Sequence, residues 1–427
     1  MDLDEQRPVT ILSGGLGAGK TTLVNQLLTE GGQQYDIAVL VNDVGEINID
    51  ADLIESGSEL SMGDGVTELS NGCICCGLQD ELDRELVRLA METSYDYLVI
   101  EPSGISDPVP IAQRFVRPAR ASALYDLDTI ATVVDAAQFH RAFVDGRAVT
   151  PTDEGTRPLS ELLAEQVEFC DVVVLNKCDL VSDPEREAVE DVLETLHPGV
   201  DIFRTTAGAV DPETVLGTGK FDVAEAKAAA RWKQELTGDH EQTDAHGHAH
   251  EDTDEHDDHG HDEHHDHRHP PEEFGVDSFV FERQRPFHPE RFAEWLRSFP
   301  EAVVRAKGHL WVAGRQRYAL DLSQAGAEIH VTVNGRWVAS LPEGQQESYR
   351  ERRPTINWDD EWGDRETALV FIGSGMDHTA IVDSLDDCLV DDEEWDLGWE
   401  AVENRFPGRR GESQPPTEQR LVIQRRE

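Results

Sequence analysis

Positive charge is scarce in this chain: 37 lysines and arginines stand against 87 aspartates and glutamates in 427 residues, for a formal net charge of −50. That balance excludes nucleic acid and anionic membrane surfaces as partners, because counterion release needs a cationic face. Cysteine is sparse too, at six, so an ordinary buried core and not a disulfide framework must hold the fold. Cys170, Cys178 and Cys388 lie among apolar or acidic neighbours and read as small packing side chains. Long apolar runs are missing as well. Nothing approaches the roughly 20 residues of a membrane span, and no basic stretch precedes an apolar one at the N-terminus. The expectation is a soluble protein in a reducing cytoplasm. Such an acidic surface repels itself at ordinary ionic strength and suits a salt-loaded cell interior, where the Debye length is short.

The first 230 or so residues alternate strand-like and helix-like segments in the manner of a parallel sheet covered by helices. The runs PVTILSG, DIAVLVND, YLVIE, TIATVVDA, DVVVLNK and DIFRTT are short, apolar and β-branched. The segments GKTTLVNQLLTEG, GLQDELDRELVRLAMET and PEREAVEDVLETLHPG repeat apolar positions at three-to-four spacing. The fold class expected is α/β: a doubly wound, mostly parallel sheet over residues 1–238, with ligands at the strand carboxyl ends. Residues 239–272 read as a disordered linker, since Asp239 to His269 holds 11 histidines and 12 acidic residues among 31. A smaller α+β domain is expected over 273–400, and a polar tail over 401–427.

GGLGAGKTT sets four residues between Gly14 and the run Gly19, Lys20 and Thr21, between a strand and a helix. This is the phosphate-binding P-loop pattern in its required context. Gly15, Gly17, Ala18, Gly19, Lys20, Thr21 and Thr22 are the candidate phosphate-binding residues. Glycines let backbone N–H groups close around phosphate, and the helix N-terminus adds its dipole. Lys20 is expected to reach the β- and γ-phosphates and the Thr21 hydroxyl to ligate Mg²⁺. Further on, VVVLNKCDL places Asn176, Lys177 and Asp179 at a strand end. A carboxylate at Asp179 can accept from the ring N1–H and exocyclic amine of guanine, a pairing adenine cannot offer. Lys177 can lay its methylene stem along the base. Glu101 ends YLVIE, three residues before Gly104, where an acid can act on Mg²⁺ or on the attacking water. Asp43 and Glu46 end another strand and are secondary metal candidates, although a polar turn explains them equally well.

Cys73, Cys75 and Cys76 crowd into four positions just ahead of a helix expected to start near Gly77. Three thiolates suit a soft or borderline cation such as Zn²⁺, and a helix N-terminus favours the deprotonated form. A redox thiol and inert packing are the alternatives. His246, His248 and His250 belong to a histidine tract, His240 to His269, that can buffer Zn²⁺, Ni²⁺ or Co²⁺ more weakly. His288, His309, His330 and His378 read as surface or satisfied core residues, and Trp295, Trp311 and Trp337 as core or interface aromatics.

In this order, GGLGAGKTT, ELSNGCICC, VIEPSGISDP and NKCDL resemble the CobW-type (CobW/HypB/UreG-like) metallochaperone GTPases. RAKGHLWVAGR, LSQAG and ALVFIGSGMD are similar to the zinc-regulated GTPase metalloprotein activators of that group, and the likeness spans about residues 8 to 400. The resemblance implies Mg²⁺-dependent hydrolysis of GTP coupled to delivery of a metal from Cys73, Cys75 and Cys76 to a client apo-metalloprotein. Zinc is the first expectation, with Co²⁺ or Ni²⁺ as alternatives. Cobalt delivery for cobalamin synthesis and nucleotide-regulated metal storage are the rival functions, and a homo-oligomer is compatible with either. One departure stands out: the family usually carries Asn-Glu in the turn after the second strand, whereas Asn42 is followed here by Asp43.

Overall fold

The computed structural model describes residues 6–31, 35–41, 66–68, 79–92, 94–117, 120–146, 158–223, 276–353, 358–395, 402–408 and 420–424. Strands β1 (Arg7–Gly14), β2 (Ile37–Val41), β3 (Val66–Glu68), β4 (Tyr97–Glu101), β5 (Tyr125–Asp135), β6 (Val172–Asn176) and β7 (Asp201–Arg204) form one sheet in the order β3-β2-β4-β1-β5-β6-β7. Every pairing in it is parallel. The reason is visible in β2, β4 and β6, which are buried at every position. Continuous apolar strands need cover on both faces, and crossover helices supply it. Alternation splits the strand side chains into two cores. Val39, Val41, Val99, Val133 and Val174 pack under α1 (Lys20–Glu30), which contributes Leu23, Val24 and Leu27. Ile11, Leu40, Ile100, Val173 and Leu175 face the other way. There they meet α2 (Gln79–Glu92), α3 (Val109–Val116), α4 (Arg120–Leu124), α5 (Ala136–Phe143), α6 (Leu159–Glu168) and α7 (Asp183–Leu196) in one core. A Ser182–Glu185 capping box starts α7.

The second sheet is antiparallel throughout. Its strands β8 (Asp277–Arg283), β9 (Val303–Leu310), β10 (Tyr318–Ala325), β11 (Glu328–Arg336), β12 (Thr367–Gly373) and β13 (Arg420–Gln424) run in the order β13-β11-β10-β9-β12-β8. One face carries Phe281, Leu320, Leu322, Ile329, Leu369 and Phe371 in a core shared with α8 (Pro289–Arg297) and α10 (His378–Asp386). The opposite face of β9 presents Arg305, Lys307 and, two residues further, His309, which is where this sheet meets α6 of the first unit. Two further helices, α9 (Glu343–Arg352) and the short α11 (Asp392–Trp395), belong to this half of the chain. Residues 420–424 lie in the segment read as a polar tail, yet Leu421, Val422 and Ile423 carry β13 onto β11. Trp295, Trp311 and Trp337 are buried, as are His309 and His330, while His288 caps α8.

Candidate functional site

The sheet brings the candidate residues to its carboxyl edge. β1 runs into the glycine loop, and α1 begins at Lys20 with Gly19 as its N-cap, so the first-turn N–H groups open toward the loop. Lys20 is buried and its Nζ spans the loop, donating to the carbonyls of Gly14 at 3.0 Å and Gly15 at 3.2 Å. Gly15 and Ala18 are buried, Gly17 and Thr22 are exposed, and Thr21 is half-buried. The Thr21 hydroxyl donates to Glu101 Oε1 at 2.9 Å, and Glu101 is 3% exposed. A hydroxyl and a carboxylate at a helix N-terminus are the hard oxygen donors that Mg²⁺ prefers, so this pair fits that ion.

The segment after Glu101 lies against the phosphate loop. A Cβ on Gly104 would sit 2.7 Å from the backbone of Leu16, so only glycine permits this approach. Ser106 is fully buried just beyond.

Two further loops complete the edge. Asn176 is 2% exposed; its Nδ2 donates to Ala18 O at 2.9 Å and its Oδ1 accepts from Gly208 N at 3.1 Å. The asparagine therefore ties the phosphate loop to the loop after β7, and a side chain on Gly19 would run into its amide. Lys177 adopts a left-handed backbone, φ 58°, and its Nζ donates to Gly17 O at 2.6 Å and to Asp135 Oδ2 at 2.7 Å. Asp179 is exposed on the following turn. Between them, Cys178 is half-buried; burial pushes its thiol up, against a backbone N–H from Thr205. Sequence reasoning missed Asp135, which also caps α5 through Gln138 N at 2.9 Å, and it missed the Thr205–Gly208 turn. The available signals were an acid ending the strand TIATVVD and the Ala-Gly after DIFRTT; Ala207 takes a positive φ of 55° there.

Cys73, Cys75, Cys76, Asp43, Glu46, His246, His248 and His250 lie outside the described residues. Among the described residues, no group of three or more His, Cys, Asp or Glu is placed to hold a metal ion. The flanks of the cysteine segment are described: β3 ends at Glu68 and α2 starts at Gln79. Val41 of β2 is in register with both Glu68 and Glu101. At an interstrand spacing of about 4.8 Å, the chain enters the cysteine segment from the edge that carries Glu101, about 10 Å away across β2.

Residues 8–204 match the nucleotide-binding domain described as CobW/HypB/UreG, and residues 276–389 match the cobalamin synthesis protein CobW C-terminal domain. The chain is 34% identical over 417 residues to "Zinc-regulated GTPase metalloprotein activator 1" of Dictyostelium discoideum, covering 92% of this chain and 82% of that protein. The chain belongs to the CobW family. It is also 30% identical to "Zinc chaperone CobW" of Sinorhizobium sp over 79% of this chain and 90% of that protein. With "Zinc chaperone YjiA" of Escherichia coli it shares 26% identity over 86% of this chain and 93% of that protein. The two matched regions of this CobW-family chain hold the parallel sheet and strands β8 to β12 of the antiparallel one. No helix among the described residues is long and apolar enough to cross a membrane.

Proposed function

We propose that this protein is a Mg²⁺-dependent GTPase that takes up a divalent transition metal, zinc first, at Cys73, Cys75 and Cys76 and passes it to a client apo-metalloprotein. The observation that carries the reading is the Thr21–Glu101 hydrogen bond of 2.9 Å, on the same sheet edge from which β3 leads into the cysteine segment. Support for zinc comes from the relatives, whose names describe zinc-regulated and zinc-chaperone proteins.

Each residue has a distinct task in the hydrolysis of GTP to GDP and phosphate. Gly15, Gly17, Ala18 and Gly19 turn backbone N–H groups inward on the phosphates. Lys20 exchanges the carbonyls of Gly14 and Gly15 for phosphate oxygens. Thr21 and Glu101 would hold Mg²⁺, which would neutralise charge developing on the phosphates. Asn176 fixes the base-reading loop against Ala18, Asp179 reads the guanine edge, and Lys177 covers the base. Gly104 is positioned to report the terminal phosphate, since its loop rests on Leu16. Departure of that phosphate then alters the segments flanking the cysteines, and a tenfold change in metal affinity needs only about 1.4 kcal/mol of differential interaction.

The test is metal competition against a chromophoric chelator with Zn²⁺, Co²⁺ and Ni²⁺, in GDP and in a non-hydrolysable GTP analogue. The expected result is a shift of metal affinity of about tenfold between nucleotides, largest for Zn²⁺ and lost in a Cys75→Ser, Cys76→Ser protein. Equal affinity in both nucleotides would replace the chaperone reading with metal storage. A shift confined to Co²⁺ would replace zinc with cobalt.

A further inference from the structure

Helix α6 touches the phosphate loop, the loop behind Glu101 and the C-terminal sheet at once. Its Leu163 methyl lies 3.0 Å from where a Cβ on Gly15 would sit, in contact range of the phosphate loop. Three residues along, Gln166 is completely buried and its Nε2 donates to Ser106 O at 3.1 Å. That carbonyl follows Gly104, the residue resting on Leu16. The Gln166 carbonyl in turn accepts from Thr132 Oγ1 at 2.9 Å, which pins this turn of the helix to β5.

Other side chains of α6 are gripped by the C-terminal sheet. Arg305, 1% exposed, donates through Nε to Glu168 Oε1 at 3.0 Å and through Nη1 to Ser323 Oγ and Gln324 O, each at 2.9 Å. Lys307 bonds Glu165 at 2.8 Å, and Ser160 donates to Glu328 at 3.3 Å. Ala325 of β10 joins the core that contains Leu163, Ala164 and Val167. A buried, multiply bonded guanidinium holds its partner in one geometry, because every alternative leaves a charge desolvated and unpaired.

We infer that Gln166 is a positioning residue for GTP hydrolysis, acting through the Ser106 carbonyl on the Gly104 loop, and that Arg305 lets the C-terminal domain set its placement through α6. The inference rests on the GTPase reading above. It makes turnover responsive to whatever binds or moves the C-terminal sheet, and linkage makes the reverse hold for binding: nucleotide state biases that sheet.

The test uses the full-length protein with Gln166→Met, which keeps side-chain volume but removes the donor, Arg305→Lys, which keeps charge but removes the fork, and the double variant. Single-turnover hydrolysis is read beside the equilibrium affinity for labelled GTP. Gln166→Met is expected to slow hydrolysis about tenfold with GTP affinity unchanged within about twofold. Arg305→Lys is expected to slow it about threefold, and the double variant to be no slower than Gln166→Met, because both act on one path. Hydrogen exchange over residues 104–107 should quicken in Arg305→Lys, and this arm decides the matter should Gln166→Met fail to fold. Wild-type turnover in either single variant, parallel losses of affinity and rate, or unchanged exchange in Arg305→Lys overturns the inference. Failure of the GTPase reading looks different: the wild-type protein itself would show no turnover.

Discussion

At the scale of single residues, the edge of the parallel sheet depends on polar groups that satisfy one another across the chain. Asn176 is the clearest case, since its amide reaches Ala18 and Gly208 together. Asp179 differs: it is exposed, and its side chain is open to a base. Asp179→Asn should therefore fold normally yet lose GTP affinity by at least about a hundredfold, because a site that pairs with donors discriminates by leaving them unpaired. The amide can donate where xanthine carries a carbonyl, so affinity for xanthosine triphosphate should rise in the same protein. Competition of the three nucleotides GTP, ATP and XTP against a labelled analogue reads both effects; an unchanged preference for guanine would remove Asp179 from the site. The remaining described thiols have no such role. Cys170 and Cys388 are buried, and burial pushes them up to about 12 and about 11, well away from the thiolate state that binds metal.

At the scale of elements, α8 and α11 are joined by a two-pronged ion pair. Arg291 bonds both Glu394 oxygens, at 2.5 and 2.8 Å, and its Nη2 also donates to Leu389 O at 2.7 Å. The Arg291 hydrogen bond holds the Glu394 carboxyl down at about 2. Its folded value lies below its unfolded one, so the contribution to stability is complete above the ordinary carboxylate range and is lost as pH falls toward about 2. Arg291→Ala should return Glu394 to the ordinary carboxylate range, as followed by carbon NMR of the side chain, and should loosen α11 with little effect on GTP turnover. A Glu394 titration unmoved by the substitution would show that the clamp is not what depresses it. The same scale explains which elements were readable. α1, α2 and α7 announce themselves through apolar periodicity, and the parallel strands through unbroken β-branched runs. By contrast, α6 escapes such reading: seven of its ten residues are buried, including Ser160, Glu165 and Gln166, so its polar side chains face partners and not water. No one-sided pattern survives in a helix held on several sides.

For the whole molecule, the formal charge of −50 outweighs any single contact in setting how the protein responds to salt. Self-repulsion of that size destabilises the compact state, and its range shrinks from about 10 Å at 0.1 M salt to about 3 Å at 1 M. The thermal midpoint should therefore climb steadily as KCl rises from about 0.1 to about 2 M, beyond the ionic strength at which an ordinary acidic protein levels off. Scanning calorimetry across that range checks it, and a midpoint that falls or stays level would separate the acidic surface from any adaptation to salt. The interface between the two sheets should withstand the added salt, because Arg305, Glu165 and Glu168 meet where screening ions do not reach.

What the chain declares by itself is whatever its neighbours along the backbone can enforce. A strand, a glycine loop and a helix follow one another directly, and NKCD follows a buried strand, so the place of Lys20, Thr21, Asn176 and Asp179 at the sheet's carboxyl edge could be named in advance. Only the folded chain could bring Asn176 to Ala18 across 158 positions, set Asp135 beneath Lys177, turn the apolar run at 421–423 into an edge strand, and lay Gln166 on Ser106. Those pairings follow from the order in which strands enter the two sheets and from the burial of polar groups far apart in sequence at one sheet edge. Neither is written in any local stretch of residues.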